Sequence, residues 1–255
     1  MTRSPPRLFV DCSLTSGSII SLQKPQIHHL KNVLRLRRGA LISLFNGRDG
    51  EWRGSLATDR SHISVKVEKL KRPQPVPSGP SLLFAPIKKG PMEVLSQKAT
   101  ELGVSIFLPT ITDFTDVTRP NYDRIRAIAV EAAEQCDRLT VPVIEHPKKL
   151  NERLQVWPKN TKLLFAAESG LAIPIDAALR DVGDKDIRMD WVLAVGPAGG
   201  FSPAEHEMLR GLSYAIPVGL GPRLLKAETA AIAALSCWQS ILGDWANRPI
   251  DRNEE

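Results

Sequence analysis

The chain has 255 residues, 42% hydrophobic and 24% charged, with a net charge of +6, ordinary values for a soluble globular protein of one large domain or two modest ones. No apolar run approaches the roughly 20 residues that span a bilayer, and the first residues lack the apolar core of a secretory signal, so a membrane role is not expected. The three cysteines, Cys12, Cys136 and Cys237, are far apart and fit a reducing cytoplasm better than a disulfide framework or a zinc site; no metal is expected.

Residues 1–72 hold 14 Lys/Arg against 5 Asp/Glu, a net of +9, whereas residues 73–255 hold 20 against 23, a net of −3. Such asymmetry suggests that the first segment meets phosphate; the plainer reading is a solvated basic surface. Within it a helix is expected around Gln26–Leu34. Asn46–Gly50 is a hairpin turn between strands at Leu41–Phe45 and Trp52–Ala57. Ile63, Val65 and Val67 alternate with Ser64, Lys66 and Glu68, the period of a half-buried strand. Several short strands and one helix predict a small β-barrel.

Lys71–Pro80 carries four prolines and one glycine in ten residues, which rules out a helix or central strand and reads as a linker. Beyond it the pattern alternates. Strands are predicted at Leu82–Ile87, Val104–Leu108, Val141–Ile144, Leu163–Ala167, Trp191–Val195 and Ala215–Val218. A helix opened by Gly90-Pro91 buries Leu95, Ala99 and Leu102 and closes at Gly103; a long one spans Asn121–Arg138, with Asn121 as N-cap. This is the pattern of an α/β domain with a largely parallel sheet. The last helix, Ala227–Leu242, is apolar on nearly every face and so buried on most sides.

Two glycine-bearing loops, Gly196-Pro-Ala-Gly-Gly200 and Gly219-Leu-Gly-Pro-Arg223, each end an apolar strand and lead into a helix. Side by side they place bare backbone groups at one edge of a parallel sheet, where such sheets bind ligands. They do not match the Gly-x-Gly-x-x-Gly dinucleotide fingerprint, which belongs after the first strand of a domain.

Gly196–Ser202 and Leu220–Ala230, together with Gln97–Val104, Glu131–Arg138 and His28–Leu36, resemble the ribosomal RNA small subunit methyltransferase E family, the 16S rRNA uracil-1498 N3-methyltransferases. The resemblance covers nearly the whole chain, in order. It implies a PUA-like β-barrel that binds RNA (1–72), a proline-rich linker (73–80), a SPOUT α/β-knot methyltransferase domain with a parallel sheet (81–248) and a polar tail (249–255). It also implies S-adenosyl-L-methionine as methyl donor, 16S rRNA in the small ribosomal subunit as partner, and a cytoplasmic homodimer.

Carried over by position, the methyl donor is expected against Gly196, Gly199, Gly200, Leu220, Gly221, Pro222, Leu225 and Thr229, with Ala166, Ala167 and Glu168 from a third loop; the leucines read equally well as plain core. The chain departs from the family twice. Ala198 stands where the first loop usually carries glutamate, and Phe114 stands in Thr112-Asp113-Phe114-Thr115 where Thr-Glu-Arg-Ser is usual.

Uracil N3 is a poor nucleophile until its proton leaves, so the site needs a base or a cation that stabilises the anion. Arg138 and Arg223 suit the cation role and Gln135 could recognise the imide edge. Glu228 is the carboxylate candidate, with a helix-terminus role as the competing reading. Lys98 and Glu101 are surface groups or line the site; His28 and His29 pack a helix terminus or touch RNA. Arg7, Lys31, Arg35, Arg37, Arg38, Arg48 and Arg53 are the phosphate-contacting candidates.

Overall fold

Ile63, Val65 and Val67 are buried while Lys66 and Glu68 are exposed, so the period-two pattern sits on a strand with one wet face. The computed structural model describes residues 5–59, 62–167, 172–187 and 189–248. In it the chain divides into two compact units, and the first, running to Pro77, also takes in Ala133–Val141.

The first unit contains β1 (Arg7–Phe9), β2 (Ile19–Ser21), α1 (Lys24–His28), β3 (Leu41–Phe45), β4 (Glu51–Asp59) and β5 (His62–Arg72). The strands form one sheet in the order β1-β3-β4-β5-β2, parallel at β1–β3 and antiparallel elsewhere. Leu30, Ile42, Leu44, Val65 and Val67 are fully buried in its core. The expected turn at Asn46 is present: its Oδ1 accepts from the backbone N–H of Arg48 and Asp49 at 3.0 and 2.8 Å, an Asx-type turn. The helix begins two residues earlier than expected because Pro25 fits its first turn, then widens into a π-helical turn, His29–Val33.

A buried ion cluster binds distant parts of this unit. Glu51 accepts from Arg7 Nε at 3.0 Å and from Arg72 Nε at 2.6 Å. The Arg7 guanidinium also donates to the carbonyls of Ala133, Glu134 and Arg138 at 2.8, 3.2 and 2.8 Å, and the Phe9 N–H donates to Glu134 Oε1. Phe45, Ala133 and Leu139 bury one another beside it.

The second unit contains β6 (Ser81–Phe84), α2 (Lys89–Glu101), β7 (Ile106–Ile111), most of α3 (Tyr122–Gln135), β8 (Val143–Ile144), β9 (Lys148–Lys149), α4 (Leu150–Gln155), β10 (Thr161–Ala166), β11 (Ile173–Pro174), α5 (Ile175–Arg180), α6 (Asp184–Ile187), β12 (Asp190–Val195), α7 (Pro203–Arg210), β13 (Ala215–Gly219) and α8 (Ala227–Ile241). Its strands run β11-β13-β10-β12-β6-β7-β8, with β9 also on β7, and every pair is parallel. This is the α/β unit expected.

β6 ends at Phe84 rather than Ile87, since Pro86 has no N–H to give a sheet ladder, and three further boundaries differ from expectation for local reasons. Val104 belongs to the cap of α2: its N–H bonds Ala99 O and that of Gly103 bonds Thr100 O, with Gly103 at φ 86°, a Schellman motif that delays β7. Asn121 does cap α3 through Arg124 N–H, but the helix stops at Gln135. Asp137 turns left-handed at φ 63°, so Arg138 lies past the helix. Pro142 precedes β8, which starts at Val143. The final helix is buried as expected along Ala227, Ala230, Ala231, Ala234, Leu235 and Trp238.

Candidate functional site

Because β13, β10 and β12 are adjacent and parallel, the loops that follow them emerge at one edge of the sheet. These loops and the first turn of α8 line a cavity of about 300 Å³. Ala166 ends β10 and Ala167 follows it in the first loop, Gly196 and Gly200 come from the second, and Leu220, Gly221, Pro222 and Leu225 from the third. Glycine suits both loops. A Cβ at Gly196 would lie 3.0 Å from the Gly200 carbonyl carbon, so a side chain there would force the loop backbone to give way. Gly221 sits at φ 95°, where an L side chain is strained.

Eight of the expected cofactor-contacting positions thus line the cavity. Gly199 and Thr229 are exposed and do not line it, and Glu168 lies outside the described residues. Sequence reasoning missed Val195, Pro197, Leu224, Ala227 and Ala230. The two alanines are three apart at the start of α8, and their small side chains on one face are the signal that could have found them.

A second structure missed from sequence stands beside the glycine loop. Ser202 caps α7, and Glu205, buried to 5% exposure, reaches back to the Ser202 N–H at 2.9 Å, a capping box. Its other oxygen accepts the Asp113 N–H at 3.0 Å, and Ser202 Oγ donates to Asp113 Oδ2. The turn from Thr112 to Thr115 is closed by its own bonds, Thr112 N–H to Thr115 Oγ1 at 2.8 Å and Thr115 N–H to Thr112 O at 3.1 Å. The Ser202-x-x-Glu205 spacing was the visible signal.

Of the residues expected in chemistry, Arg223 is exposed and lines the cavity. Glu228 is half-buried in the first turn of α8 and is not among the lining residues. Gln135 and Arg138 belong to the first unit; Gln135 is exposed, and Arg138 is half-buried with its Nε donating to Thr140 Oγ1 at 2.9 Å. Lys98 and Glu101 pair with each other at 2.9 Å on α2.

The basic set divides. Arg7 is corrected: its side chain is only 8% exposed and its guanidinium is engaged by Glu51 and three carbonyls, leaving it no geometry for phosphate. Lys31, Arg35, Arg37 and Arg38 are exposed, and Arg35 holds a left-handed φ of 53°. Arg48 donates to Asp11 O at 2.8 Å, and Arg53 is half-buried on β4. His28 and His29 are exposed.

Residues 75–239 match the RNA methyltransferase domain family and residues 22–68 the RNA methyltransferase PUA domain family. The chain is 32% identical over 238 residues to the ribosomal RNA small subunit methyltransferase E of Rickettsia conorii, covering 90% of this chain and 93% of that one. It is 28% identical over 242 residues to the Bacillus subtilis protein of the same name, covering 90% and 94%. The crystal structure of a ribosomal RNA small subunit methyltransferase E from Neisseria gonorrhoeae bound to S-adenosyl methionine is similar with a TM-score of 0.80 at 26% identity, over 94% of this chain and 99% of that one.

Proposed function

Because this chain belongs to the ribosomal RNA small subunit methyltransferase E family, we propose that it methylates N3 of a uracil in 16S rRNA, the one the family numbers 1498, on the assembled small subunit. The observation that carries this reading is the cavity at the strand ends, walled by alanines and glycines of the first two loops and by the leucines, Gly221 and Arg223 of the third. Its chemistry fits S-adenosylmethionine: main-chain amides and carbonyls match the edges of adenine, and Leu220, Leu225 and Ala230 offer apolar contact to its face. Bound there, S-adenosylmethionine supplies an electrophilic methyl group. Gly196, Gly200, Leu220, Gly221, Pro222 and Leu225, with Ala166 and Ala167, are the residues that hold it; Gly199, Thr229 and Glu168 keep that role by resemblance alone.

The chain's own contribution is orientation and electrostatics. Sulfonium methyl transfer is an in-line displacement that needs positioning more than covalent catalysis. Arg223, exposed at the cavity, stabilises negative charge on the uracil as the N3 proton passes to solvent water. Arg138 and Gln135 carry uracil-facing roles by resemblance, and Glu228 serves the positive end of α8 first and the reaction second. Lys31, Arg35, Arg37, Arg38, Arg48 and Arg53 form the phosphate-contacting set in a PUA-like domain at 1–72, joined by the linker at 73–80 to the methyltransferase domain at 81–248. Homodimerisation, the family's knot and a cytoplasmic location complete the reading; no helix among the described residues is long and apolar enough to cross a membrane.

Ala198 motivates a second reading, an RNA-binding assembly protein with a vestigial pocket, since the family's glutamate is missing from the loop. The formed cavity favours the enzyme. Calorimetric titration with S-adenosylmethionine separates them: binding supports the methyltransferase, and no heat up to millimolar ligand supports the vestigial pocket.

A further inference from the structure

Exposed cations stand on both flanks of the cavity, in a segment whose net charge is −3. β6 lies next to β12 in the sheet and parallel to it, so the loop that follows β6 opens at the same edge as the glycine loops. The Ala85 N–H donates to the carbonyl of Val195 at 3.3 Å, and Val195 lines the cavity. Lys88 comes three residues after Ala85, at most about 11 Å along the chain, and Lys89 follows it. Both are exposed. On the other flank Arg223 and Lys226, also exposed, follow β13. Two strands, β10 and β12, lie between β13 and β6, so the flanks are about 14 Å apart.

The stretches 85–87, 196–201 and 219–222 between these cations hold no charged residue. The acids of this edge are placed differently. Glu228 is half-buried on α8, and Glu168 lies outside the described residues. Asp113 and Asp116 are exposed after β7, one strand beyond β6; Asp113 accepts from Ser202 Oγ, and Arg119 in the same loop offsets one of the two charges. The lysines do nothing for the helix they begin. Lys88 is the N-cap of α2 and Lys89 its first residue, no side chain caps that end, and no acid stands in the first turn, whereas a helix N-terminus favours negative charge. Glu93, one turn on, is already bonded by Arg124 at 2.9 Å; that bond first, and the Lys89 charge after it, hold its carboxyl below the ordinary range.

We propose that Lys88 and Lys89 grip the phosphate backbone of the RNA substrate on the β6 flank of the cavity, opposite Arg223 and Lys226, and so hold the target strand across the glycine loop. This rests on the methyltransferase reading above. Phosphate is the chemistry that fits, because lysine binds it as a point charge and phosphate contacts fix position without reading sequence. The basic first segment then captures RNA, and the lysine pair seats the strand where the methyl group is delivered.

Transfer of tritiated methyl from S-adenosylmethionine to small ribosomal subunits lacking the modification tests the idea, with calorimetry of S-adenosylmethionine and thermal melts alongside. Replacing Lys88 and Lys89 together with Gln is expected to lower kcat/KM toward subunits on the order of tenfold and to make it less sensitive to salt. S-adenosylmethionine affinity and the melting temperature should not fall. Lys159 and Lys185 are exposed at the opposite edge, ahead of β10 and β12; replacing that pair with Gln removes the same charge and is expected to leave transfer unchanged. Normal transfer by the Lys88, Lys89 variant, loss of its S-adenosylmethionine affinity, or equal losses in the two double variants overturns the grip and leaves the methyltransferase reading intact. If the unsubstituted protein labels no subunits, the methyltransferase reading fails and the grip falls with it.

Discussion

Arg7 and Glu51 form a buried ion pair, Nε to Oε1 at 3.0 Å with side chains 8% and 1% exposed, across 44 residues of sequence. Arg72 takes the other carboxylate oxygen, and the remaining Arg7 donors hold three carbonyls of the segment that carries Gln135 and Arg138. A residue that looked like part of a phosphate-contacting face is a brace for the first unit.

That brace has an acid limb. Burial alone would push the Glu51 carboxyl up, but Arg72 and Arg7 together outweigh it and hold the group below its ordinary 4.5. A lowered carboxylate pKa contributes stability that is present above 4.5 and is lost as pH falls through the folded value. Glu51→Gln removes the carboxylate between the buried Arg7 and the part-exposed Arg72, leaving Arg7 only the more distant Asp137, and is expected to cost about 3 kcal/mol at neutral pH. Its denaturation midpoint should also change less than the wild type's below pH 4.5; thermal melts across the acid range check both.

The cavity can be closed without touching the sheet. Ala230→Leu adds branched bulk where α8 lines it, and Gly221→Ala forces an L residue to φ 95°, a strain of about 1–2 kcal/mol. Both are expected to lower S-adenosylmethionine affinity at least about tenfold while the protein stays folded. Calorimetry and circular dichroism check this, and unaltered affinity in both would mean that the ligand site lies elsewhere.

Arg37 and Arg38 are exposed and adjacent to Arg35. Replacing both with Gln should weaken RNA binding at low salt and flatten the plot of log affinity against log salt by about 0.7 per lost single-strand phosphate contact. Arg7→Gln, by contrast, should lower stability through the lost brace and leave the salt slope of the folded protein unchanged. Filter binding at several salt concentrations distinguishes the two.

The glycine loops were legible because backbone requirements leave a mark: a left-handed turn or close approach demands glycine wherever its partners are. Strand positions were legible for the same reason, since apolar runs such as Trp191–Val195 stay apolar on both faces in a parallel sheet. Arg7 was not, because the partners of its guanidinium lie 44 to 131 positions away and a buried arginine has the same letter as an exposed one. The end of α3 was obscured because aspartate rather than glycine takes the left-handed position at 137.

The roles proposed for Arg223 and Glu228 can be told apart. Arg223→Ala is expected to lower single-turnover methyl transfer on the order of 100-fold with less effect on S-adenosylmethionine affinity. Glu228→Gln should cost little, since a first-turn carboxylate contributes about 0.3–1 kcal/mol at a helix terminus. Should Glu228→Gln be inactive while folded and able to bind S-adenosylmethionine, with Arg223→Ala near normal, Glu228 is the base.

The most direct measurement is mass spectrometry of 16S rRNA from small ribosomal subunits that lack the modification, incubated with this protein and S-adenosylmethionine. The expected product is a single added methyl group on the N3 of one uridine, in the fragment containing position 1498. Methylation at a different atom or nucleotide would contradict the assigned substrate, and unmodified rRNA from a folded protein that binds S-adenosylmethionine would contradict the assigned reaction.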